Sequence, residues 1–195
     1  MGAMKLPAFI LASGSPRRRE LLAQAGLRFR VEAAQVEELN GADMTPRELC
    51  RANAFRKAQA VARQFPEALV LGADTEVHLG NRVFGKPATL KAAHQMLRRL
   101  SGCTHEVTTA CCLLRARPAH RVMFDVTTHV QFRPLSDGQI RDYLATINPL
   151  DKAGAYAVQE NGEWIVEAIE GSFTNIVGLP VQQVLAALAS WPAAR

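Results

Sequence analysis

The sequence predicts an α/β fold in which helices flank a mixed, twisted sheet, with the chain arranged in two lobes. Three observations support this class. Short apolar strands alternate with capped helices in the N-terminal half, which is typical of parallel strands. Two long segments rich in Val and Thr, 105–114 and 122–132, follow one another and predict antiparallel neighbours. The length of 195 residues suits a single domain, 1–195, and we find no linker that would divide it.

The N-terminal quarter predicts a strand, a helix and a second strand. Residues 9–12 form an apolar strand that stops at a Ser-Gly pair. Ser15-Pro16 then supplies an N-cap and a proline at the first helical position. Gly26 ends this helix as a C′ glycine, and residues 29–33 predict the second strand.

A longer helix is predicted over 45–64, where a threonine cap, a first-position proline and an acidic third residue mark its start. The apolar segment 68–74 after it has the length of a buried strand and ends in a carboxylate, Asp74. Residues 77–84 read as a hairpin, because two short apolar segments flank a Gly-Asn pair.

The C-terminal half adds three helices and a further hairpin. Helices are predicted over 89–100 and 136–143, each with a hydroxyl residue as its N-cap. The segment 155–169 predicts a hairpin around Asn161-Gly162. The last helix is predicted from Pro180. Its inward-facing residues are expected to be Val184, Leu185 and Leu188.

Composition excludes several classes of protein. Hydrophobic residues make up 48% and charged residues 21%, so the chain can bury enough apolar surface to fold. No apolar segment has the length of a membrane span, and no secretory signal is evident, so we expect a cytoplasmic protein with no membrane partner. The four cysteines lack zinc or CxxC spacing and are expected to be reduced and buried. Residues 1–4 are expected to be a tag or a disordered start.

Hydroxyl and guanidinium groups cluster at residues 13–19, where the first helix begins. Free N–H groups at a helix N-terminus attract anions, and an arginine can bind a phosphate through two hydrogen bonds. The formal net charge of +5 agrees with an anionic partner. The segment therefore predicts a phosphate site, although its spacing is not that of a P-loop. The alternative is an ordinary serine cap followed by solvated arginines.

Further candidates lie at a strand end, in a turn and on a helix. Asp74 occupies a position common for a metal ligand or a general base, with a turn-capping role as the alternative. Lys86 stands between a glycine and a proline, and Lys57 lies on the long helix. Both ammonium groups suit phosphate, and both could equally face solvent. Glu37-Glu38 is a short acidic pair that a solvated loop would also explain.

The segment 151–156 combines polar groups with small residues that permit close backbone approach, and Gln159 follows it. A glutamine amide offers a donor and an acceptor, so it could read the edge of a base. The alternative is a lead-in to the predicted hairpin. The five histidines show no metal-binding spacing.

In their order along the chain, these motifs resemble the Maf family of nucleoside triphosphate pyrophosphatases. The resemblance extends from about Leu11 to Leu185. The residues that carry it are Ala12-Ser13-Gly14-Ser15-Pro16-Arg17-Arg18, Lys57-Ala58, Leu71-Gly72-Ala73-Asp74-Thr75, Gly85-Lys86-Pro87, Leu100-Ser101-Gly102 with His105 and Val107, Asp151-Lys152-Ala153-Gly154-Ala155-Tyr156 and Val177-Gly178-Leu179-Pro180.

This resemblance implies hydrolysis of a nucleoside triphosphate between its α- and β-phosphates, with a divalent cation, Mg²⁺ or Mn²⁺. It also implies an inosine-triphosphate-pyrophosphatase-like fold with a central cleft between the lobes, a cytoplasmic location and a homodimer. Asp74 matches the family's proton acceptor. Arg17, Thr75 and Gln159 match the positions linked to substrate choice, and their combination is similar to the dTTP/UTP branch. The family's other polar cleft residues are matched by Ser13, Glu38, Lys57 and Lys86.

The resemblance fits a physical account of the reaction. Ser13, Arg17, Lys57 and Lys86 would bind the phosphates, and Glu38 and Asp74 would offer oxygen ligands to the cation. A carboxylate that binds a cation is a weaker base, so these two roles of Asp74 compete. The alternatives are a 7-methyl-GTP pyrophosphatase and a nucleotide-binding regulator of division without turnover. A nucleic-acid-binding protein is disfavoured, because aromatic residues make up only 6% of the chain.

Overall fold

The computed structural model describes residues 8–41 and 43–192, so the expectation for residues 1–4 lies outside the described residues. The chain divides into two compact units. The first comprises the described residues of Met1–Asp74, Thr109–Asp125 and Gly178–Arg195. The second comprises Thr75–Thr108 and Val126–Val177. Within the described part of the chain, no helix combines the length and apolar character needed to cross a membrane.

Helices and strands alternate through most of the chain. The helices are α1 (Pro16–Gln24), α2 (Pro46–Gln64), α3 (Leu90–Leu100), α4 (Asp137–Thr146), α5 (Phe173–Val177) and α6 (Val181–Ala189). The strands are β1 (Phe9–Leu11), β2 (Arg30–Val31), β3 (Leu69–Leu79), β4 (Arg82–Val83), β5 (Thr104–Arg115), β6 (His120–Phe132) and β7 (Val166–Glu170). They form one sheet in the order β2-β1-β3-β5-β6-β7, and β4 pairs with β3.

The sheet contains both strand directions, as the sequence predicted. In the first unit, β1 runs parallel to both β2 and β3, and α1 and α2 are the crossover helices between these strands. The β3–β4 and β6–β7 pairs are antiparallel. The connection from β5 to β6 is only residues 116–119, which is too short for a parallel crossover. The predicted α/β class with a mixed sheet is therefore confirmed.

The parallel part of the sheet is buried on both faces because its side chains alternate. On one face, Leu11 and Leu71 belong to the same core cluster as Leu22 of α1 and Val184 of α6. On the other face, the strand residues belong to a cluster with α2. The principal members of this second cluster are Ile10, Ala12, Val70, Ala110, Ala54, Ala58 and Val61.

The second unit has its own core, in which aromatic rings meet edge to face. His105 and Tyr156 lie against Phe132 with ring centroids 4.7 and 4.9 Å from it, respectively. His105 Nε2 and the Tyr156 hydroxyl are 2.8 Å apart. Burial and, after it, the His78 imidazole lower the pKa of His105 to about 4. The imidazole is therefore neutral at physiological pH.

All four cysteines are free, as predicted, and three are buried, while Cys103 is half-buried. Burial raises the pKa of both Cys111 and Cys112 to about 12. Because the thiolate is the reactive form, these two thiols are unreactive packing groups.

The hairpin predicted around Asn161-Gly162 is wrong. Single turns of 3₁₀-helix occupy Ala153–Ala155 and Gly162–Trp164, and only β7 follows as a strand. The Tyr143 hydroxyl accepts from the Ala157 N–H and donates to the Ala157 carbonyl oxygen, both at 3.1 Å. These backbone groups would otherwise be available to a strand partner.

The C-terminal helix is confirmed, but its inward face is narrower than predicted. Val184 is fully buried and Leu188 is buried, whereas Leu185 remains 37% exposed. Positions 184 and 188 are one helical turn apart, and position 185 lies away from that stripe.

Candidate active site

The N-terminus of α1 holds the first candidate phosphate-binding group, Ser13, which is buried. Its Oγ accepts hydrogen bonds from the Ser15 N–H at 3.3 Å and from Arg18 Nη1 at 3.2 Å. Arg18 Nε also donates to the Gly178 carbonyl oxygen at 2.9 Å. Arg18 thus fastens the start of α1 to the segment before α6, while Arg17 is only half-buried.

Sequence reasoning selected Arg17 and overlooked this structural role of Arg18. A signal was present, because Arg18 lies four residues before the buried Leu22 and residues at that spacing share a helix face. The buried arginine positions the serine, and the half-buried one remains the candidate contact for substrate.

Gly72 on β3 lets α2 lie unusually close to the sheet. A Cβ placed on Gly72 would be 2.3 Å from the Ala54 carbonyl oxygen and 2.7 Å from the Ala58 nitrogen. One turn of α2 therefore rests directly on the strand backbone, where only glycine leaves enough space. Asp74 lies two residues further along β3 and so points to the same face.

This close approach joins Lys57 of α2 to Asp74 of β3. Lys57 Nζ is 2.6 Å from Asp74 Oδ1 and 2.5 Å from Glu38 Oε1. Asp74 is 5% and Lys57 9% exposed, whereas the Glu38 side chain is 60% exposed. A buried ammonium thus links a buried carboxylate to one that reaches solvent, and the structure brings these three candidate residues together.

Asn53, one helical turn before Lys57, completes this cluster. Its Oδ1 accepts from the Leu39 N–H at 2.8 Å, and its Nδ2 donates to the Leu39 carbonyl oxygen at 3.2 Å. The same Nδ2 is 3.5 Å from Asp74 Oδ2. Asn53 thereby fixes the segment that carries Glu38 beside Asp74. Sequence reasoning missed it, although its spacing from Lys57 places both on one face of α2.

The carboxylates of Glu38 and Asp74 meet the chemical requirement for a hard divalent cation. One oxygen of each lies within 2.6 Å of the same Lys57 nitrogen, so the two groups converge on one point. Residues 8–41 and 43–192 contain no group of three or more His, Cys, Asp or Glu side chains that could hold a metal, so these two carboxylates would be the protein's acidic ligands to such a cation. Two carboxylates completed by water and phosphate oxygens are a usual set for Mg²⁺.

The other candidate residues, Thr75, Lys86 and Gln159, belong to the second unit. Thr75 follows Asp74 directly and is half-buried, and Lys86 is exposed after β4. The Gly154 N–H donates to the carbonyl oxygens of Phe84 at 2.8 Å and Gly85 at 3.2 Å. This backbone contact fastens the Lys86 turn to the segment 153–155.

Gln159 is exposed in a turn that Lys152 holds in place. The buried Lys152 Nζ donates to the Asn148 carbonyl oxygen at 2.9 Å, and it lies 3.0 Å from Asp151 Oδ1 and 3.3 Å from Glu160 Oε2. Lys152 is therefore a structural anchor for the loop of Gln159. The burial of Lys152 could not be predicted from the motif 151–156, because two of its three partners, Asn148 and Glu160, lie outside that motif.

The mixed sheet with a buried carboxylate on a central strand defines an α/β protein with a fold shared with known structures. The Ham1 protein of Staphylococcus aureus is similar with a TM-score of 0.52 at 14% identity, covering 93% of this chain and 98% of that one. The family model for Maf-like proteins matches residues 8–191. The chain therefore belongs to the Maf-like family, which confirms the resemblance found in the sequence.

Three curated relatives are named dTTP/UTP pyrophosphatase. The protein from Akkermansia muciniphila is 45% identical, covering 94% of this chain and 96% of its own length. The protein from Anaeromyxobacter dehalogenans strain 2CP-1 is 47% identical, with 93% of both chains covered. The protein from Bacillus cytotoxicus is 45% identical and covers 91% of this chain and 92% of its own.

Proposed function

We propose that this protein is a pyrophosphatase that hydrolyses dTTP and UTP to the nucleoside monophosphate and pyrophosphate. The observation that carries this proposal is the buried Asp74 carboxylate, ion-paired at 2.6 Å with Lys57 and linked through it to Glu38. Relatives at 45–47% identity over more than nine tenths of the chain bear the same activity in their names, which confirms the function expected from the sequence.

Asp74 is the group that accepts the proton of the attacking water. Its Oδ1 is held by Lys57 at 2.6 Å, and its Oδ2 accepts a long hydrogen bond from Asn53 Nδ2 at 3.5 Å. Oδ2 is thus the carboxylate oxygen with the weaker contact, and it can take a proton in the reaction. The water oxygen bonds to the α-phosphorus while Asp74 takes its proton, the bond from the α-phosphorus to the oxygen shared with the β-phosphorus breaks, and pyrophosphate leaves with that oxygen.

The triphosphate charge has to be neutralised before a water molecule can attack. Lys57, Arg17 and Lys86 are the cationic groups that we propose for this role. The Ser13 hydroxyl and the N–H groups at the start of α1 suit phosphate oxygens. These four residues are our proposed phosphate contacts.

Glu38 and Asp74 would hold a divalent cation, Mg²⁺ or Mn²⁺. When bound, such a cation neutralises phosphate charge and polarises the oxygens it touches. Lys57 already lies between the two carboxylates, so its ammonium occupies a position suited to positive charge. The protein's own contribution is to keep both carboxylates in place through Lys57 and Asn53.

The choice of pyrimidine bases is assigned to Arg17, Thr75 and Gln159. The amide of Gln159 offers a donor and an acceptor, which can pair with the imide edge of thymine or uracil. A missing hydrogen bond at such a position changes selectivity by about 10- to 100-fold.

The cytoplasmic location and the homodimer stay predictions.

The decisive experiment measures pyrophosphate release from dTTP, UTP, CTP, GTP and 7-methyl-GTP in one enzyme batch with Mg²⁺. We expect kcat/KM to be highest for dTTP and UTP. A preference for CTP or 7-methyl-GTP would refute the substrate assignment but keep the reaction. Binding of nucleotides without pyrophosphate release would instead indicate a regulator.

Asp74→Asn tests the proton acceptor, because it keeps the shape of the side chain and removes its basicity. We expect kcat to fall at least about 100-fold while nucleotide binding is retained. Asp137→Asn is the matched control, since Asp137 is a half-exposed carboxylate at the start of α4. Turnover of Asp74→Asn within a few-fold of the unchanged protein would exclude Asp74 as the base.

A further inference from the structure

A pocket lies entirely within the first unit, between the C-terminal half of α2 and the turn that joins β5 to β6. Its volume is about 460 Å³, which is in the range of small-molecule sites. Its principal lining residues are Phe55, Gln59, Arg63, Arg115, His120 and Arg121. None of these residues has a part in the proposed hydrolysis.

The end of this pocket at the β5–β6 turn lies away from Asp74. The N–H groups of Ala116 and Arg117 donate to the Pro66 carbonyl oxygen at 3.0 and 2.7 Å, which places the β5–β6 turn beside the start of β3. Asp74 lies five residues beyond Leu69, the first residue of β3. At the usual rise of a strand, this is about 16 Å along the sheet. The pocket is therefore a separate site.

Positive charge in the pocket has no acidic counterpart. Three arginines line it, and none of its lining residues, all within the described chain, is Asp or Glu. Across the described residues, no ion pair involves Arg63, Arg115 or Arg121. This contrasts with Arg47 and Arg51 at the other end of α2, which both pair with Asp125.

Arg115 is the informative member, because it is only 4% exposed. Its Nε donates to the Pro118 carbonyl oxygen at 3.3 Å, and its guanidinium lies 5.9 Å from the Trp191 ring centroid. A buried guanidinium costs free energy unless an anion or several acceptors compensate it. One long hydrogen bond and one distant ring leave most of its donors available to a ligand.

Most of the rest of the pocket lining is apolar or aromatic. The guanidinium of Arg121 lies 5.1 Å from the Phe55 ring centroid, and His120 packs edge to face on Trp191 at 4.7 Å. Leu114 and several alanines complete this part of the lining. A ligand that fits this lining carries a phosphate for the arginines and a flat or apolar group for the remaining residues.

We propose that this pocket is a second binding site, for a small phosphorylated ligand of mononucleotide size. The phosphate contacts Arg63, Arg115 and Arg121, and the flat group lies against the apolar part of the lining, Leu114 and the alanines. A nucleic-acid strand fits less well, because strand binding uses an extended groove with several exposed aromatic rings. Here a single confined pocket contains one half-buried phenylalanine that an arginine already covers.

Trp191 provides a direct readout of binding. It is buried, its ring packs on His120 and lies 5.9 Å from the Arg115 guanidinium, whereas the second tryptophan, Trp164, is 48% exposed in the other unit. In a Trp164→Phe background, titration with AMP, UMP, pyrophosphate and inorganic phosphate should change the Trp191 emission in a saturable way. AMP and UMP should bind more tightly than inorganic phosphate, because only they can use the apolar part of the lining.

Charge-removing variants locate the site. Arg63→Gln and Arg121→Gln change exposed side chains, so folding is expected to be unaffected, and each should weaken AMP binding by about 10- to 100-fold. Arg98→Gln removes an exposed arginine on α3, outside the pocket, and should leave AMP binding unchanged. Lys57→Met should also leave the Trp191 response intact, because Lys57 belongs to the proposed active site.

The outcomes separate this proposal from the proposed hydrolysis. Both pocket variants should release pyrophosphate from dTTP at the unchanged rate when no AMP is present. Absence of any Trp191 response to all four probes at millimolar concentration would overturn the second site. A response only to a decameric oligonucleotide, with steep salt dependence, would overturn it in favour of nucleic-acid binding. Neither result would affect the assignment of Asp74.

Discussion

Replacing Gly72 by alanine should damage both stability and activity, although the side chain added is a single methyl group. The new Cβ would lie 2.3 Å from the Ala54 carbonyl oxygen, 2.7 Å from the Ala58 nitrogen and 2.9 Å from the Ala58 Cβ. Two of these are backbone atoms of α2, so no rotamer change relieves the clash. The helix itself has to move away from β3.

The size of the effect follows from these distances. A contact of 2.3 Å must open to at least 3.0 Å, a shift of about 0.7 Å. Overpacking of this kind costs about 1–3 kcal/mol, and the lost chain entropy of glycine offsets about 0.4–1 kcal/mol of it. A net loss of roughly 1–2 kcal/mol lowers Tm by roughly 2–8 °C in a chain of this length.

The activity should fall more than the stability suggests. Lys57 belongs to the turn of α2 that rests on Gly72, and its contact with Asp74 is only 2.6 Å long. A displacement approaching 1 Å at a catalytic contact costs about 100-fold in rate. We therefore expect kcat/KM for dTTP to fall about 100-fold at a temperature where the variant is still folded.

Thermal unfolding and pyrophosphate release on the same preparation test this prediction. Gly138→Ala is the matched control, because its Cβ would lie 3.8 Å from the nearest atom and it belongs to a helix. That variant should keep its activity and unfold at the same or a slightly higher temperature. A Gly72→Ala protein with unchanged Tm and kcat/KM would refute the idea that close helix approach positions Lys57.

Two further predictions concern phosphate binding and pH. Arg17→Ala and Lys86→Ala should each lower kcat/KM for dTTP by about 10- to 100-fold in steady-state assays. Lys91→Ala, which removes an exposed lysine on α3, should leave kcat/KM unchanged. If all three variants keep the kcat/KM of the unchanged protein, the phosphate contacts lie elsewhere. The lowered pKa of His105, about 4, means that the unfolded chain binds a proton between about pH 4 and 6.5 that the folded chain does not. The stability contributed by this group is therefore complete above about pH 6.5 and falls by roughly 3 kcal/mol as the pH drops to about 4. Urea midpoints across this range and the NMR titration of the His105 ring measure it; a ring that titrates near pH 6.5 would contradict it.

Local signals in the sequence predicted those elements that local chemistry determines. Ser15 caps α1 through the Arg18 N–H, and Thr45 with Glu48 forms the capping box of α2, as expected from residue types alone. The Gly80-Asn81 turn joins β3 to β4. The same kind of signal failed at Asn161-Gly162, because the Tyr143 hydroxyl, from a distant part of the sequence, binds both backbone groups of Ala157.

In the candidate site, too, the residue types could be predicted from the sequence, whereas the contacts between distant segments could not. Asp74, Lys57 and Glu38 were identified from the motifs, but the ammonium bridge between the two carboxylates depends on how closely α2 lies on β3. Asn53 was not predicted, because an asparagine inside a helix is not by itself a signal of a functional site. Its hydrogen bonds to Leu39 form only when the chain folds. The arginine pocket was missed because its members come from distant segments.

One feature of the fold links stability to chemistry in this protein. Side chains alternate along a strand, so the position that needs glycine for close packing and the position of the carboxylate share one face of β3, two residues apart. The same turn of α2 that rests on Gly72 carries Lys57 to Asp74. If α2 moved away from β3, its close contact with Gly72 would loosen and Lys57 would separate from Asp74. The Asp74 carboxylate would then be buried without its partner. Because an unpaired buried charge costs several kcal/mol, the packing of α2 and the ion pair stabilise one another.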